Sequence, residues 1–460
     1  PRTTGGLGPA AAATAPIQGD PSGGVAPRAA GAALEGAAAG SGSGQGAVPG
    51  GAFNDSLDFG GMGGHRGGAC AEYEGVDFPL DPEWGPRVRD PRGASIYGTG
   101  WAQRYLRRHQ FPASCAGKDF VEHGMFRSGI GSNMHIAASV MAFALDTGRI
   151  YAWPDDDVHN PWTYDSVAKT IVDCPGGAQA RTYECYLKPI TSCRPSGAGP
   201  RFTGVSRERG PGELRGVDAV PKAFKPLLKC SGYPKDYWRK WWRAQVAAFL
   251  VRLTPAMRQE LDAFRGAVLV GESGSSTIGA HVRHGDKYFE AREYPFQDYR
   301  RVFEWIAGAP GAEVLGECPQ ATEYLKPFAR FLPGLASRRL YLGTDDPEVQ
   351  REALLAMRSG TRRWALAYMN VTRVAKRKKL MDLRKQLGVK QMVMESFLNL
   401  QLLLESDAFV CTWTSNWCRL VDELRMTTAM KASHISLEIN KHCPRFNWVH
   451  GRGKTTPDFR

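Results

Sequence analysis

Three polar clusters in this chain have the residue types to manage a phosphate group, and each follows a short apolar run. The first is His281-Val282-Arg283-His284-Gly285-Asp286-Lys287. Its cationic groups could neutralise a phosphate or pyrophosphate without a metal. Arg283 leads, because its rigid fork can grip two phosphate oxygens at once. The same residues also suit a surface loop whose charges pair among themselves. The second cluster is Thr344-Asp345-Asp346-Pro347. Aspartate followed by proline is how a helix starts, so one of the two caps a helix. The other is left for a ligand or a structural hydrogen bond. The third cluster is Cys411-Thr412-Trp413-Thr414-Ser415-Asn416, ahead of a helix opening at Trp417. Free N–H groups, the helix dipole and the hydroxyls of Thr414 and Ser415 suit a phosphate, and a plain hydroxyl cap fits equally well. Cys411 and Cys418 flank this turn and could be bridged across it.

Weaker signals accompany these. Gly129-Ile130-Gly131 precedes an apolar helix and matters only if it faces the other clusters across a cleft. Asp155-Asp156-Asp157 fits either a solvated turn or the metal-binding motif of another class of sugar-nucleotide enzyme. His281, within a strand, and His135, on the helix after the glycines, also suit core positions. The absence of HExxH, GxSxG and Walker sequences removes support for zinc protease, serine hydrolase and P-loop ATPase readings.

The elements that must position these clusters follow from periodicity. Helices are predicted over 134–145 and from about 237 to 264, the second ended or broken at Pro255. Beyond residue 266, strands at 277–283, 339–344, 364–370 and 408–412 alternate with helices at 347–357, 391–405 and 417–426. That alternation predicts an α/β fold with a doubly wound, mostly parallel sheet, whose ligands sit at the carboxyl ends of the strands. Residues 1–69 hold 20 of the 53 glycines and almost no apolar periodicity, and read as a disordered stem or linker. The expected organisation is that stem, an N-terminal α/β lobe with long helices over 70–265, a Rossmann-like lobe over 266–436, and a tail over 437–460.

The 460 residues are 42% hydrophobic and 23% charged, with a formal charge of +13. This composition excludes a disordered or fibrous chain and suits two or three globular domains. From Arg358 to Lys390 there are eleven Lys and Arg against one acid, Asp382, which is +10 in one segment. The run Lys376-Arg377-Lys378-Lys379 reads as a solvated loop and helix face, an acceptor-side or membrane-surface patch. It lacks the interleaved aromatics of a nucleic-acid platform, so no nucleic acid is expected. The ten cysteines show no CxxC pair and favour an oxidising compartment, and the sequons at Asn54 and Asn370 agree. No apolar run approaches the ~18–20 residues of a membrane span. The first residue is Pro1, so an anchor upstream is compatible with the chain.

Taken in order, four blocks resemble the core alpha-1,6-fucosyltransferase-like family, which includes nodulation fucosyltransferases. They are Gly129 to His135, His281 to Lys287, Tyr341 to Pro347, and Ser406 to Arg419, and the resemblance spans about 115–436. It implies a GT-B-like two-lobed architecture and an inverting, metal-independent transfer of fucose from GDP-fucose to an oligosaccharide or glycoprotein acceptor, in the Golgi or secretory lumen. No cofactor or metal is implied. Arg283 would hold the leaving β-phosphate, with Ser415 also on phosphate. His281 would contact guanine, and Gly129, Ile130 and Gly131 would approach from the other lobe. Asp286 and Lys287 would orient the acceptor and the base. The resemblance also implies disulfides Cys411–Cys418 and Cys115–Cys174.

The chain departs from the family pattern at three places. The base position falls on Ala291, and a one-residue gap aligns Glu290 with it, Glu293 being the reserve. A guanine-contacting carboxylate is replaced by Asn399, with Glu395 one turn earlier as a substitute. The arginine that follows Arg283 in the family is His284 here, and Asp346 remains an alternative site residue. The tail is too short for the SH3-like domain of vertebrate members.

Overall fold

The computed structural model describes residues 68–74, 84, 87–91, 93–124, 128–154, 162–165, 170–177, 183–194, 201–202, 220–274, 276–284, 293–307, 338–358, 364–371, 373, 387–412, 414–431 and 435–436. All belong to one unit, Asp55–Arg460. The stem up to residue 67, the tail beyond 436, the Asp155 to Asp157 run and the Lys376 to Lys379 run lie outside the described residues.

In chain order the elements are α1 (Thr99–Gln110), β1 (Phe120–His123), α2 (Ile130–Asp146), β2 (Ile150–Ala152), β3 (Tyr164–Asp165), β4 (Thr170–Ile171) and β5 (Arg201–Phe202). Then come α3 (Lys225–Ser231), α4 (Lys235–Leu250), α5 (Pro255–Val268), β6 (Leu269–Val270), β7 (Thr277–Val282), α6 (Phe296–Ile306) and β8 (Arg339–Thr344). The remainder are α7 (Pro347–Arg358), β9 (Ala365–Met369), α8 (Val389–Glu405), β10 (Ala408–Cys411), α9 (Asn416–Met426) and β11 (Ile435–Ser436). The long helix expected from about 237 to 264 is two. Val251 ends α4, and Thr254 caps α5, its hydroxyl accepting from the Met257 N–H at 3.1 Å ahead of Pro255 at the first turn.

The larger sheet runs β11-β10-β7-β8-β9-β6, parallel throughout except for the short edge strand β6. Helices cover both faces. Ile278, Ala280, Val282, Leu340, Leu342, Ala408 and Val410 face α6 and α7. The alternate positions, Tyr341, Ala367 and Phe409, face α8 in a second core. This is a doubly wound α/β sheet, with β7 central and β8–β9 and β10–β11 extending from it in opposite directions. Chain order reverses between β7 and β10, and that crevice is where such sheets take ligands.

A smaller parallel sheet, β2-β1-β5, precedes it. The two are joined by a shared helical layer, because the core around α8 and α9 continues into α1, α2, α4 and α5. Trp241 and Trp242 are fully enclosed there, and the Trp242 indole N–H donates to the Ala138 carbonyl at 2.9 Å. α4 is tied to α9 by a buried Lys240–Asp422 pair at 2.8 Å.

Four disulfides join described cysteines: Cys70–Cys230, Cys115–Cys193, Cys174–Cys185 and Cys411–Cys418. The expected Cys115–Cys174 pairing is therefore corrected. Gln110, at the end of α1, donates to the carbonyls of Tyr151 and Ile190, which draws the 190–193 segment alongside the loop after α1. Cys193 thereby comes within 5.5 Å of Cys115, Cα to Cα. Cys174 immediately precedes one short 3-10 turn, Pro175–Gly177, and Cys185 ends another, Tyr183–Cys185, their Cα atoms 5.0 Å apart. Both separations fall within the range that a disulfide needs.

Candidate functional site

The crevice between the ends of β7 and β10 is built from backbone first. After Cys411 the chain turns through Thr412 to Ser415 and enters α9, with the Ser415 N–H bonded to the Thr412 carbonyl at 3.2 Å. Ser415 is the N-cap residue and is buried, yet its hydroxyl makes no capping bond. The first N–H groups of α9 therefore point, uncapped, toward the end of the sheet. The Cys411–Cys418 disulfide closes this turn.

The glycine segment meets it from the other sheet. α2 begins at Ile130 with Gly129 as an N-cap that has no side chain to offer. A Cβ at Gly131 would lie 2.4 Å from the Asn416 carbonyl oxygen, so only glycine permits this approach. The Asn416 amide donates to the Ser132 hydroxyl at 2.7 Å, and the His135 Nε2 lies 3.0 Å from the Glu423 carboxylate. These contacts run α2 and α9 side by side in one direction, with their N-termini flush. Each N-terminus carries about half a positive charge. Two of them together repel unless an anion lies between.

Arg283 stands at the end of β7. Its guanidinium pairs with Asp345 at the end of β8, and the Asp345 carboxylate also accepts the His284 N–H at 3.0 Å. The two aspartates have separate tasks. Asp346 caps α7, accepting from the Glu348 N–H at 2.9 Å, and faces His284 Nδ1 at 2.8 Å. The other face of His284 meets the Tyr294 carbonyl at 2.9 Å. His284 is thus a brace between β7, α7 and the segment ahead of α6, and Asp346 has a structural role. Glu293 precedes Tyr294, whose carbonyl His284 fixes at this end of the sheet. Asp286, Lys287 and Glu290 lie outside the described residues.

His281 faces α8, where the Asn399 amide donates to its Nδ1 at 3.3 Å. Asn399 accepts in turn from the Tyr341 hydroxyl at 2.9 Å. Burial, with Arg283 and Arg373 nearby, pushes the His281 imidazole down to about 3, so the ring is neutral and its Nε2 carries the proton. Gly343 completes this packing, since a Cβ there would sit 2.2 Å from the Asn399 oxygen. Through these two bonds Asn399 ties β7, β8 and α8 together. Glu395 lies one turn earlier, half-buried, and burial holds its carboxyl above the ordinary range.

Sequence reasoning missed three participants. Arg373 belongs to the basic 358–390 segment but lies outside the Lys376 to Lys379 run read as solvated, and its guanidinium is half-buried at the sheet end. It donates to the carbonyls of Thr344 and Met369 and to Gln350. Net charge gave no signal of it. Trp417 sits 6.0 Å from the His281 ring, and its indole Nε1 is buried without a hydrogen-bond partner. The Ser128 hydroxyl, beside Gly129, is also buried and unpartnered. Trp417 was visible only as the residue that opens the helix, and nothing in the sequence marked Ser128. Among the described residues no group of three or more His, Cys, Asp and Glu converges as metal ligands would.

No family model matches the sequence. By structure the chain is similar to solved fucosyltransferases. Fucosyltransferase NodZ from Bradyrhizobium aligns with 71% of this chain and 97% of its own length, at 15% identity and a TM-score of 0.32. POFUT1 in complex with GDP-fucose covers 71% and 99% at 10% identity, with a TM-score of 0.34. A mutant of Arabidopsis thaliana FUT1 in complex with GDP covers 74% and 79% at 13% identity, with a TM-score of 0.35. Likeness at this level assigns no residue roles, which rest here on the geometry of the site itself.

Proposed function

We propose that the chain is an inverting, metal-independent glycosyltransferase that moves fucose from GDP-fucose to a glycan acceptor in the Golgi or secretory lumen. The observation that carries this is the pair of flush helix N-termini, α2 and α9, meeting beside Arg283 at the topological switch point. Such a site suits a pyrophosphate. The two sheets would act as the lobes of a GT-B-like enzyme, residues 70–265 and 266–436, with the donor between them. Four disulfides suit a secretory compartment.

As GDP departs, negative charge grows on the β-phosphate while the sugar becomes oxocarbenium-like. Arg283, oriented by Asp345, and the N–H groups beyond Gly129 and Ser415 are fixed donors that need no rearrangement to meet that charge. The acceptor hydroxyl attacks from the opposite face and gives its proton to a carboxylate, Glu290 in our assignment, with Glu293 in reserve. Asp286 and Lys287 orient the acceptor and that base. The neutral His281 and the Trp417 indole N–H would meet the nucleotide base.

One observation favours a second reading, the same scaffold with another sugar nucleotide: the Asn399 amide is already engaged by Tyr341 and His281. A donor-hydrolysis assay across GDP-, UDP- and ADP-sugars decides. Hydrolysis of GDP-fucose that is lost in Arg283→Ala supports the first reading. No GDP-fucose binding by calorimetry in the folded wild type sinks it. Glu290→Gln should abolish transfer while sparing donor binding. If Glu293→Gln does so instead, the base is Glu293.

A further inference from the structure

The ladder between β8 and β9 stops at Leu342 and Tyr368, while the ladder between β8 and β7 continues to Thr344 and Val282. The last two residues of β8, Gly343 and Thr344, thus have a strand on one side only. Arg373 closes the open side. Its Nη1 donates to the Thr344 carbonyl and its Nη2 to the Met369 carbonyl at 2.8 Å, while Nε donates to Gln350 on α7 at 2.6 Å. One planar fork clasps β8, β9 and α7, and a single-point cation such as lysine cannot do the same.

The carbonyl that Arg373 holds belongs to the peptide between Thr344 and Asp345. That peptide is planar, so fixing its oxygen restrains the point from which the Asp345 side chain leaves the chain. The Thr344 hydroxyl secures the same turn from the β7 side, donating to the Val282 carbonyl at 2.9 Å and accepting from the Asp346 N–H at 3.1 Å. Asp345 in turn pairs with the Arg283 guanidinium. Direct contacts therefore run from Arg373 through one peptide and one carboxylate to Arg283. Among the described residues the three acceptors of Arg373 are neutral, and burial lowers the pKa of its guanidinium. A half-buried cation bonded only to neutral acceptors is a costly way to close a strand end if closure is all it does.

We propose that Arg373 is a positioning residue for the transfer: by holding the Thr344–Asp345 peptide it sets Asp345 where that carboxylate aims Arg283 at the leaving phosphate. This rests on the donor reading above and adds to it a residue that touches no reacting atom.

The test is a double-mutant cycle on the whole chain, read as kcat and KM for GDP-fucose hydrolysis. Rates are referred to the fraction of molecules that binds GDP by calorimetry, so loss of folded protein does not register as loss of kcat. Arg373→Gln removes both charge and fork, and Arg373→Lys keeps the charge without the fork. Each should lower kcat about tenfold and change KM by less than about threefold. In an Asp345→Asn background, Arg373→Gln should lower kcat by less than about a further threefold, because both substitutions release the same guanidinium. A merely structural clasp would lower the urea midpoint and leave kcat alone. Three results overturn the proposal: kcat within about twofold of wild type in Arg373→Gln, full kcat in Arg373→Lys, or losses that multiply to about a hundredfold in the double variant. A folded wild type inactive on GDP-fucose sinks the donor reading, and this role with it. A wild type active on GDP-fucose, with any of the three results, sinks the role of Arg373 alone.

Discussion

Gly131 and Asn416 touch backbone to backbone, and through that contact the first turns of α2 and α9 share one surface. The space left for a Cβ at Gly131 is 2.4 Å from the Asn416 oxygen. Alanine at this position must push the two N-termini apart. Overpacking of this kind costs about 1–3 kcal/mol. Gly131→Ala should lower the denaturation midpoint and weaken GDP-fucose binding at least tenfold by calorimetry. Gly129→Ala, whose Cβ meets nothing within 4 Å, should leave the midpoint nearly unchanged.

Arg283 and Asp345 form the second relationship with a measurable consequence. If the guanidinium stabilises charge on the leaving phosphate, Arg283→Ala should reduce kcat for donor hydrolysis about 100- to 1000-fold. Asp345→Asn keeps an acceptor for the His284 N–H but removes the charge that orients Arg283. A loss of about tenfold is expected, through kcat more than KM. Equal losses in the two variants would show that Asp345 does more than orient.

Much of the larger sheet was legible in residues 266–436 of the sequence. β8 was expected at 339–344 and lies there, because Leu340, Tyr341, Leu342 and Thr344 favour a strand and an Asp-Asp-Pro helix-start signal follows. α2 begins four residues before the predicted 134, because Ile130 and Gly131 are within the helix. Glycine's low helix propensity hid this, and packing against Asn416 overrides it. Arg373 was hidden for a different reason. A charge count cannot tell a solvated lysine run from one guanidinium half-buried on strand-end carbonyls. Cys411–Cys418 was legible because the two flank one turn, but Cys115–Cys193 and Cys174–Cys185 were not, since these four cysteines alone allow three connectivities and the Gln110 clamp that brings Cys193 to Cys115 is a tertiary contact.

Asn399 decides between structural and base-reading roles. Asn399→Leu leaves the Tyr341 hydroxyl and His281 Nδ1 buried without partners, which costs about 1–3 kcal/mol each. Urea denaturation should show that loss. If the amide serves the fold alone, affinity for GDP and ADP should fall by the same factor in titrations of both. A fall confined to GDP would assign Asn399 to guanine.

The buried histidines predict how the protein responds to acid. In the folded state His281 is pushed down to about 3 and His123 to about 4, each chiefly by burial. Unfolded, both titrate at about 6.5. Above that value neither ring binds a proton in either state, and the two contribute no pH dependence. As pH falls below 6.5 the unfolded chain takes up protons that the folded chain refuses, so stability is lost with falling pH. Each ring contributes a slope of about 1.4 kcal/mol per pH unit, continuing to about pH 4 for His123 and about pH 3 for His281. Chemical denaturation at pH 7.0, 6.0 and 5.0 should therefore show stability declining toward acid. His281→Gln should remove about 1.4 kcal/mol per unit from that slope below pH 6, although it is less stable at pH 7 than the wild type. An unchanged slope would mean that His281 already accepts a proton in the folded protein, and with it that the ring beside Arg283 is a cation.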